Sequence, residues 1–420
     1  MKDNGIEWIG EIPEGWEIKY FVQLFSQVKN KNIGLREKNL LSLSYGKIKQ
    51  KSIETVGGLL PDNFEGYNII DSNDIVLRLT DLQNDQHSLR VGLSHERGII
   101  TSAYCSIRVR GAESPNYLYY YLHTFDIAKG FYGMGSGVRQ GLNWDGLKYI
   151  KILLPPQHEQ DRISIFLNQK TLEIDSMLSK TISSIEEYKK LKQAVITQAV
   201  TKGVRGEREM KNSGVEWIGE IPKEWVCEKI KYATSISRGL FNHRPRNDER
   251  YYNGKYPFIQ TGDVANATKY IVSYSQTLNE LGKSVSKEFP KGTLTMTIAA
   301  NVGDVAILNF DAYFPDSVVG FVPNKNIRTL YLFYVFSAMK DEFIRTAIKS
   351  TQLNLNIDRV KETFIPVTLN VNEQCEIENY LESKCAEIDG LIAKKEQLVK
   401  ELESYKKSLI YEVVTGKREV

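Results

Sequence analysis

The sequence predicts an α+β (mixed α/β) chain of two similar globular domains connected by two long helices, on three observations. Glu7-Trp8-Ile9-Gly10-Glu11-Ile12-Pro13 returns as Glu216-Trp217-Ile218-Gly219-Glu220-Ile221-Pro222. Glu173-Ile174-Asp175 returns as Glu387-Ile388-Asp389, and Val200-Thr201 as Val414-Thr415, both at one spacing with no gap between them. The segments carrying this second pair have the apolar periodicity of long helices, while the segments between the markers hardly match. Self-similarity sets the architecture before any single element is assigned. A frame written twice around two unlike inserts is one scaffold presenting two different surfaces.

The elements follow in order. The first globular domain is expected at 1–157, a helical region at 158–203, a linker and second globular domain at 204–366, and a second helical region at 367–420. In the first insert, Asp74–Thr80 alternates between polar clusters and Gly98–Val109 reads as one or two strands. Pro115–His123 reads as a helix opening at proline, followed by a glycine-rich loop at Gly133–Gly141. The second insert repeats the order, with strands around Tyr256–Gln260 and Gly292–Ala299, a helix near Leu330–Phe343 and a polar loop at Lys349–Asn356. In the closing blocks Ile174, Leu178, Ile182 and Ile185, and Ile388, Ile392, Leu398 and Leu402, recur at helical steps between polar faces. That pattern predicts two helices packed on each other as a pair or coiled coil. At about 1.5 Å per residue each would reach about 60 Å, the length of a rod or spacer.

Composition narrows the class. A chain of 420 residues with 41% hydrophobic and 25% charged residues is expected to be soluble, with two or three domains. The net charge of +3 is small, so any affinity for a polyanion must come from charge concentrated on particular surfaces. Cys105, Cys227, Cys375 and Cys385 lie far apart, which argues against structural zinc and disulfides and for reduced cytosolic thiols. The first residues lead into no apolar stretch, and no run approaches the roughly 20 apolar residues of a membrane span. A cytoplasmic protein without membrane contact is expected.

The sequence carries no recognisable catalytic constellation. Gly282-Lys283-Ser284 lacks the glycine of a phosphate loop, since position 277 is Thr. Pro155-Pro156 runs into Gln157 rather than an aromatic residue, so the motif of amino-methyltransferases is missing. Gly133–Gly137 follows a helix rather than a buried strand and reads as a plain loop, not a dinucleotide cradle. His87, His95, His123, His158 and His243 have no metal-ligand spacing. The inserts carry polar, basic and aromatic loop chemistry instead. Lys47, Lys49 and Lys51 alternate beside Tyr45, Arg78 leads into a polar stretch with Gln83, and Arg139-Gln140 sits in the glycine loop. In the second insert the corresponding candidates are Arg238, Arg244, Arg246, Gln260, Lys349 and Gln352. Lysine and arginine neutralise phosphates, arginine forks onto guanine, and glutamine pairs with adenine. Each residue alone is also what a solvated surface carries; an Arg/Lys-Gln loop at the same point of both halves is what raises the case.

These residues resemble a known family. The openings Gly5–Trp16 and Gly214–Trp225, the junction Leu154–Gln160, the two Glu-Ile-Asp blocks, the loop Gly135–Asn143 and the stretch Pro257–Asp263 are similar to the specificity subunits of type I restriction–modification systems. The second junction, Ile365–Gln374, lacks the double proline. The resemblance covers essentially the whole chain. It implies two target-recognition domains related by a pseudo-twofold repeat, each reading half of a split double-stranded DNA site, with the helices as an antiparallel pair. It further implies a non-catalytic subunit without cofactors of its own, docking two adenine methyltransferase subunits and, in the full complex, restriction/translocase subunits. S-adenosylmethionine, ATP and Mg are then expected on those partners. The rival readings are an enzyme without a recognisable motif and a paired-domain protein-interaction scaffold.

Overall fold

The repeated opening motif folds as a small hairpin in each half. In the computed structural model, which describes residues 2–3, 5–6, 8–52, 63–82, 85, 88–134, 141–346, 348–349 and 353–420, strand Lys2–Asp3 pairs with Glu11–Ile12. Met210–Asn212 pairs with Glu220–Pro222 in the same register pattern. Gly10 and Gly219 turn the chain back at φ 74° and 68°, a conformation that costs a side-chain-bearing residue about 1 kcal/mol or more. Ile9, Ile12 and Trp16, and likewise Ile218, Ile221 and Trp225, are buried beneath the turns.

The chain divides into two units, 1–182 with 396–420, and 183–395. Each long helix therefore contributes to both. The first, Gln157–Lys202, and the second, Val371–Val414, fall within a few residues of the expected helical regions.

In the first unit Glu17–Tyr20 pairs antiparallel with Lys151–Leu154, closing the base of the insert. Its main sheet runs Phe25–Gln27, Cys105–Val109, Ile75–Leu77, Val91–Leu93, all antiparallel. Helix Pro115–Ile127, capped by the Ser114 hydroxyl accepting from the Tyr117 amide, packs on this sheet. The second unit closes its insert the same way, Val226–Lys229 against Phe364–Val367. Its sheet runs Thr234–Arg238, Val318–Pro323, Leu294–Thr297, Val305–Leu308, with Tyr270–Ile271 added parallel at the edge. In both, the sheet order is first, fourth, second, third strand of the chain, and a helix follows the fourth. The second unit's helix stops at Ala338 and restarts as Lys340–Thr346, where one helix was expected. This unit also adds a four-stranded sheet, Gln276–Leu278, Tyr252–Phe258, Ala312–Tyr313, Glu288–Phe289.

One set of side chains staples each insert to the start of its long helix. Trp16 Nε1 donates to Glu159 at 2.8 Å and Trp225 Nε1 to Glu373 at 3.1 Å. Gln160 accepts from the Ser114 amide at 2.9 Å and donates to Pro155 O at 2.9 Å. Gln374 accepts from the Arg328 amide and donates to Thr368 O, both at 2.8 Å. Tyr117 and Tyr331 donate from their buried hydroxyls to Leu153 O and Pro366 O. The missing double proline leaves this staple intact, because Glu373-Gln374 carries it.

The ends of the long helices enter the opposite cores. Leu409, Ile410, Val413 and Val414 pack with Ile9, Ile12 and Trp16, while Ile196, Ala199 and Val200 pack with Ile218, Ile221 and Trp225. Asp175 of the Glu-Ile-Asp block accepts from Lys406 at 2.5 Å in the first unit, and Asp389 from Lys192 at 2.7 Å in the second. Within the second unit Tyr188 also meets Lys395. Advancing from 188 to 192 on one helix therefore moves from 395 to 389 on the other, so these segments run antiparallel.

Of the expected seam residues, Ile174, Ile185 and Ile388 are buried, and Leu178, Ile392 and Leu402 are half-buried. Ile182 and Leu398 are corrections: they are 50% and 42% exposed. The seam on the first helix steps through Leu178, buried Thr181 and Ile185, which leaves Ile182 one position, about 100°, off the line. On the second helix half-buried Val399 takes the place expected of Leu398.

Candidate nucleic-acid interface

In each unit the loop between the second and third sheet strands is met by the loop that follows the insert's helix. Arg78 N donates to Arg90 O at 2.9 Å, and the matching bond in the second unit joins Thr297 N to Asp304 O at 3.0 Å. The returning chain then bonds the next residue: Leu142 N to Leu79 O at 2.9 Å, and Leu355 N to Ile298 O at 2.8 Å. Asn143 and Asn356 follow at once as side-chain caps of the short helices Trp144–Leu147 and Ile357–Glu362. The two Arg/Lys-Gln loops singled out in the sequence thus end at equivalent points of the two units. Arg139, Gln140, Gln83 and Gln352 themselves lie outside the described residues. Lys349 lies on strand Ile348–Lys349, paired with Leu353–Asn354; its side chain is outside the described residues.

The first unit holds its cations in different ways. Lys47 opens strand Lys47–Gln50 and pairs with Asp175 at 2.8 Å while its side chain stays 62% exposed. Burial pushes the Asp175 carboxyl up, but the hydrogen bonds from Lys406 and Lys47 outweigh it and hold the carboxyl below its usual range. Lys49 and Lys51 are exposed. Arg78 pairs with Asp85 at 3.3 Å and stays about one-third exposed.

In the second unit the structure brings Arg238, Arg244 and Arg246 together on Asp316. Arg238 Nε donates to Asp316 O at 2.5 Å, Arg244 lies 3.6 Å from its carboxylate, and Arg246 forms a close ion pair with it. Arg244 and Arg246 on one carboxylate, with Arg238 on the same residue's backbone carbonyl, leave a positive excess. Beside them is a cavity of about 280 Å³ lined by Phe241, Arg246, Asn247, Tyr252, Phe258, Gln260, Gln276 and Pro315. Gln260 caps helix Thr261–Asn266 and donates to Gln276 Oε1 at 2.8 Å, so its amide is fixed at this cavity. Sequence reasoning missed Asp316, the hub, and the basic–aromatic cluster in which Lys283 and Lys255 lie 4.5 and 5.2 Å from the Tyr256 ring. It also missed Asp248, whose carboxyl is held far below its usual range chiefly by Arg250, with His243 adding to it. Positive groups interleaved with aromatic faces are the chemistry of nucleic-acid grooves.

Among the described residues no group of three or more His, Cys, Asp or Glu could hold a metal ion, and no helix is long and apolar enough to cross a membrane.

Residues 236–401 match the model of the type I restriction modification DNA specificity domain. The chain is similar to type I restriction–modification specificity subunits over nearly its whole length. It is 24% identical to the MjaX and 23% identical to the MjaVIII type I restriction enzyme specificity subunits of Methanocaldococcus jannaschii, over 97% of this chain and 95% and 93% of theirs. Its fold is shared with a chain solved in work on complex assembly and conformational transition of the type I R-M system. There the TM-score is 0.74 and the identity 16%, over 97% of this chain and all of that one. The HsdS subunit from Thermoanaerobacter tengcongensis aligns with TM-score 0.52 at 15% identity, over 97% of this chain and 98% of its own.

Proposed function

We propose that this chain is a non-catalytic specificity subunit and that each insert reads one half of a bipartite duplex DNA target. The observation that carries the reading is the contrast within each unit: staple, sheet order and helix ion pair recur, while the charged loop surfaces do not. A scaffold built twice with different outward loops suits two unlike half-sites better than one ligand bound twice.

The long helices are then the platform for two adenine methyltransferase subunits and, in the full complex, restriction/translocase subunits. Exposed apolar residues on the first helix support partner docking, above all Ile165 and Leu172, which stand seven positions apart and so on one face. S-adenosylmethionine, ATP and Mg belong to those partners in this reading, and the bases are read through the major groove.

The test is to express the chain with its methyltransferase partner and sequence the modified DNA, alongside a gel shift at graded salt. A two-part motif with an unread gap, and binding that weakens steeply with salt, are expected. Methyl transfer by the isolated chain, or no sequence preference with the partner present, would overturn the reading. The helices should also set the gap. Four residues inserted after Ile182 together with four after Lys395 add about 6 Å, equivalent to a gap longer by one or two base pairs at about 3.4 Å each.

A further inference from the structure

Arg90 is fully buried at the end of the first unit's hairpin loop, yet its guanidinium is spent on carbonyl groups. Nη1 donates to Arg78 O at 3.1 Å and Thr80 O at 2.9 Å. Nη2 donates to Asp81 O at 3.3 Å and to Asp85 O, and Nε to the Tyr132 hydroxyl at 3.0 Å. Those bonds occupy the five N–H groups that arginine has. Four acceptors come from one loop, and the fifth is on the residue that opens the glycine-rich loop. The Tyr132 ring also lies 5.0 Å from the guanidinium carbon, and the Arg90 amide is anchored on Asp126 at 2.7 Å. One side chain thereby ties together the two loops that end at the candidate interface.

The second unit shows what happens without it. The topologically matching residue is Asp304, which pairs with Lys340 at 2.5 Å. Its loop, 298–304, is shorter than 78–90 and closes on its own backbone, with Gly303 N donating to Thr297 O at 2.9 Å. A longer loop has more conformations to lose, and several inward carbonyls need donors because unpaired buried ones are costly.

The geometry points to Arg90 as the positioning residue that holds residues 78–82 and 85 and the start of the glycine loop in one DNA-reading arrangement, without touching DNA itself. This rests on the first insert reading one half-site. Lysine cannot replace it, since one ammonium on a flexible stem does not span a five-donor fork.

The experiment uses the full chain with its methyltransferase partner and a library randomised in both half-sites. In R90K, discrimination at bases of one half-site should fall about tenfold or more, the range set by losing a well-placed base contact, while the other half-site keeps its preference. Y132F, which removes one of the five acceptors, should relax the same half-site less. An R90K chain that keeps wild-type discrimination overturns the proposal. So does one that methylates every sequence more weakly in proportion, which is the mark of lost stability alone. Should R90K fail to fold, Y132F carries the test: relaxation confined to that half-site is expected, and an unchanged motif overturns it. A wild-type chain that directs no motif removes the underlying reading, and Arg90's role with it.

Discussion

The two units solve their internal problem identically and their external one differently. Inside, Trp16–Glu159 is answered by Trp225–Glu373, Gln160 by Gln374, Tyr117 by Tyr331, and Asp175–Lys406 by Asp389–Lys192. Outside, the first unit has a long hairpin loop clamped by Arg90, while the second has a tight one, an added sheet, and three arginines gathered around Asp316. Apart from the exposed Asp389–Lys192 pair, what recurs are groups that must be satisfied where water is excluded. What differs is free to be chosen by a ligand.

The largest expected effect comes from breaking the shared staple. Trp225→Ala removes a fully buried indole and should destabilise the chain by about 3–5 kcal/mol, read by denaturant unfolding. Trp16→Ala should fall in the same range but cost less, because Trp225 is additionally covered by Arg208, which lies 5.4 Å from its ring and bonds Glu373 at 2.6 Å. Equal losses would show that this extra lid contributes nothing.

The next effect separates the units by pH. Burial pushes the His123 imidazole down to about 4, with Lys406 and Lys407 adding to it; the staple's spacing puts Ser337 at that place in the second unit. The folded state keeps His123 neutral while the unfolded state takes a proton below about 6.5. Stability is therefore lost as pH falls from about 6.5 towards 4, by at most about 1.4 kcal/mol per pH unit. The difference between wild type and His123→Gln across that window isolates this group, and a pH-independent difference contradicts it.

Arg246→Ala should lower the salt slope of DNA binding by about one, if the arginine contacts a phosphate; an unchanged slope removes it from the interface. The smallest effect belongs to the helix ion pairs. Asp389→Asn, at an exposed pair, should cost about 0–1 kcal/mol. Asp175→Asn should cost more, since two lysines converge on a carboxyl that is only 29% exposed.

The frame was legible because it is periodic and repeated: the opening motif, the junction Glu-Gln and the Glu-Ile-Asp blocks proved to be turns over buried apolar side chains, staples and ion pairs. The lysines answering those aspartates, Lys192 and Lys406, share the same spacing and could have been found from it. The seam was read one residue out at Ile182 and Leu398, because a helix line that steps by three or four admits both neighbours. The interface was less legible. Asp316 joins arginines some 70 positions away, and nothing local marks it as a hub. Lys47 is a candidate for DNA contact by its place on a strand, and nothing in that position announces its pairing with a helix aspartate. Arg90 went unnoticed because a buried arginine looks, in sequence, like any solvated one.

The central claim is that each unit reads its own half of the target. It is tested most directly by replacing residues 20–150 with the corresponding insert of a relative of different specificity and sequencing the DNA modified with the methyltransferase partner. One half of the methylated motif should change to the donor's, with the other half and the gap retained. A motif altered in both halves, or in neither, would contradict the account.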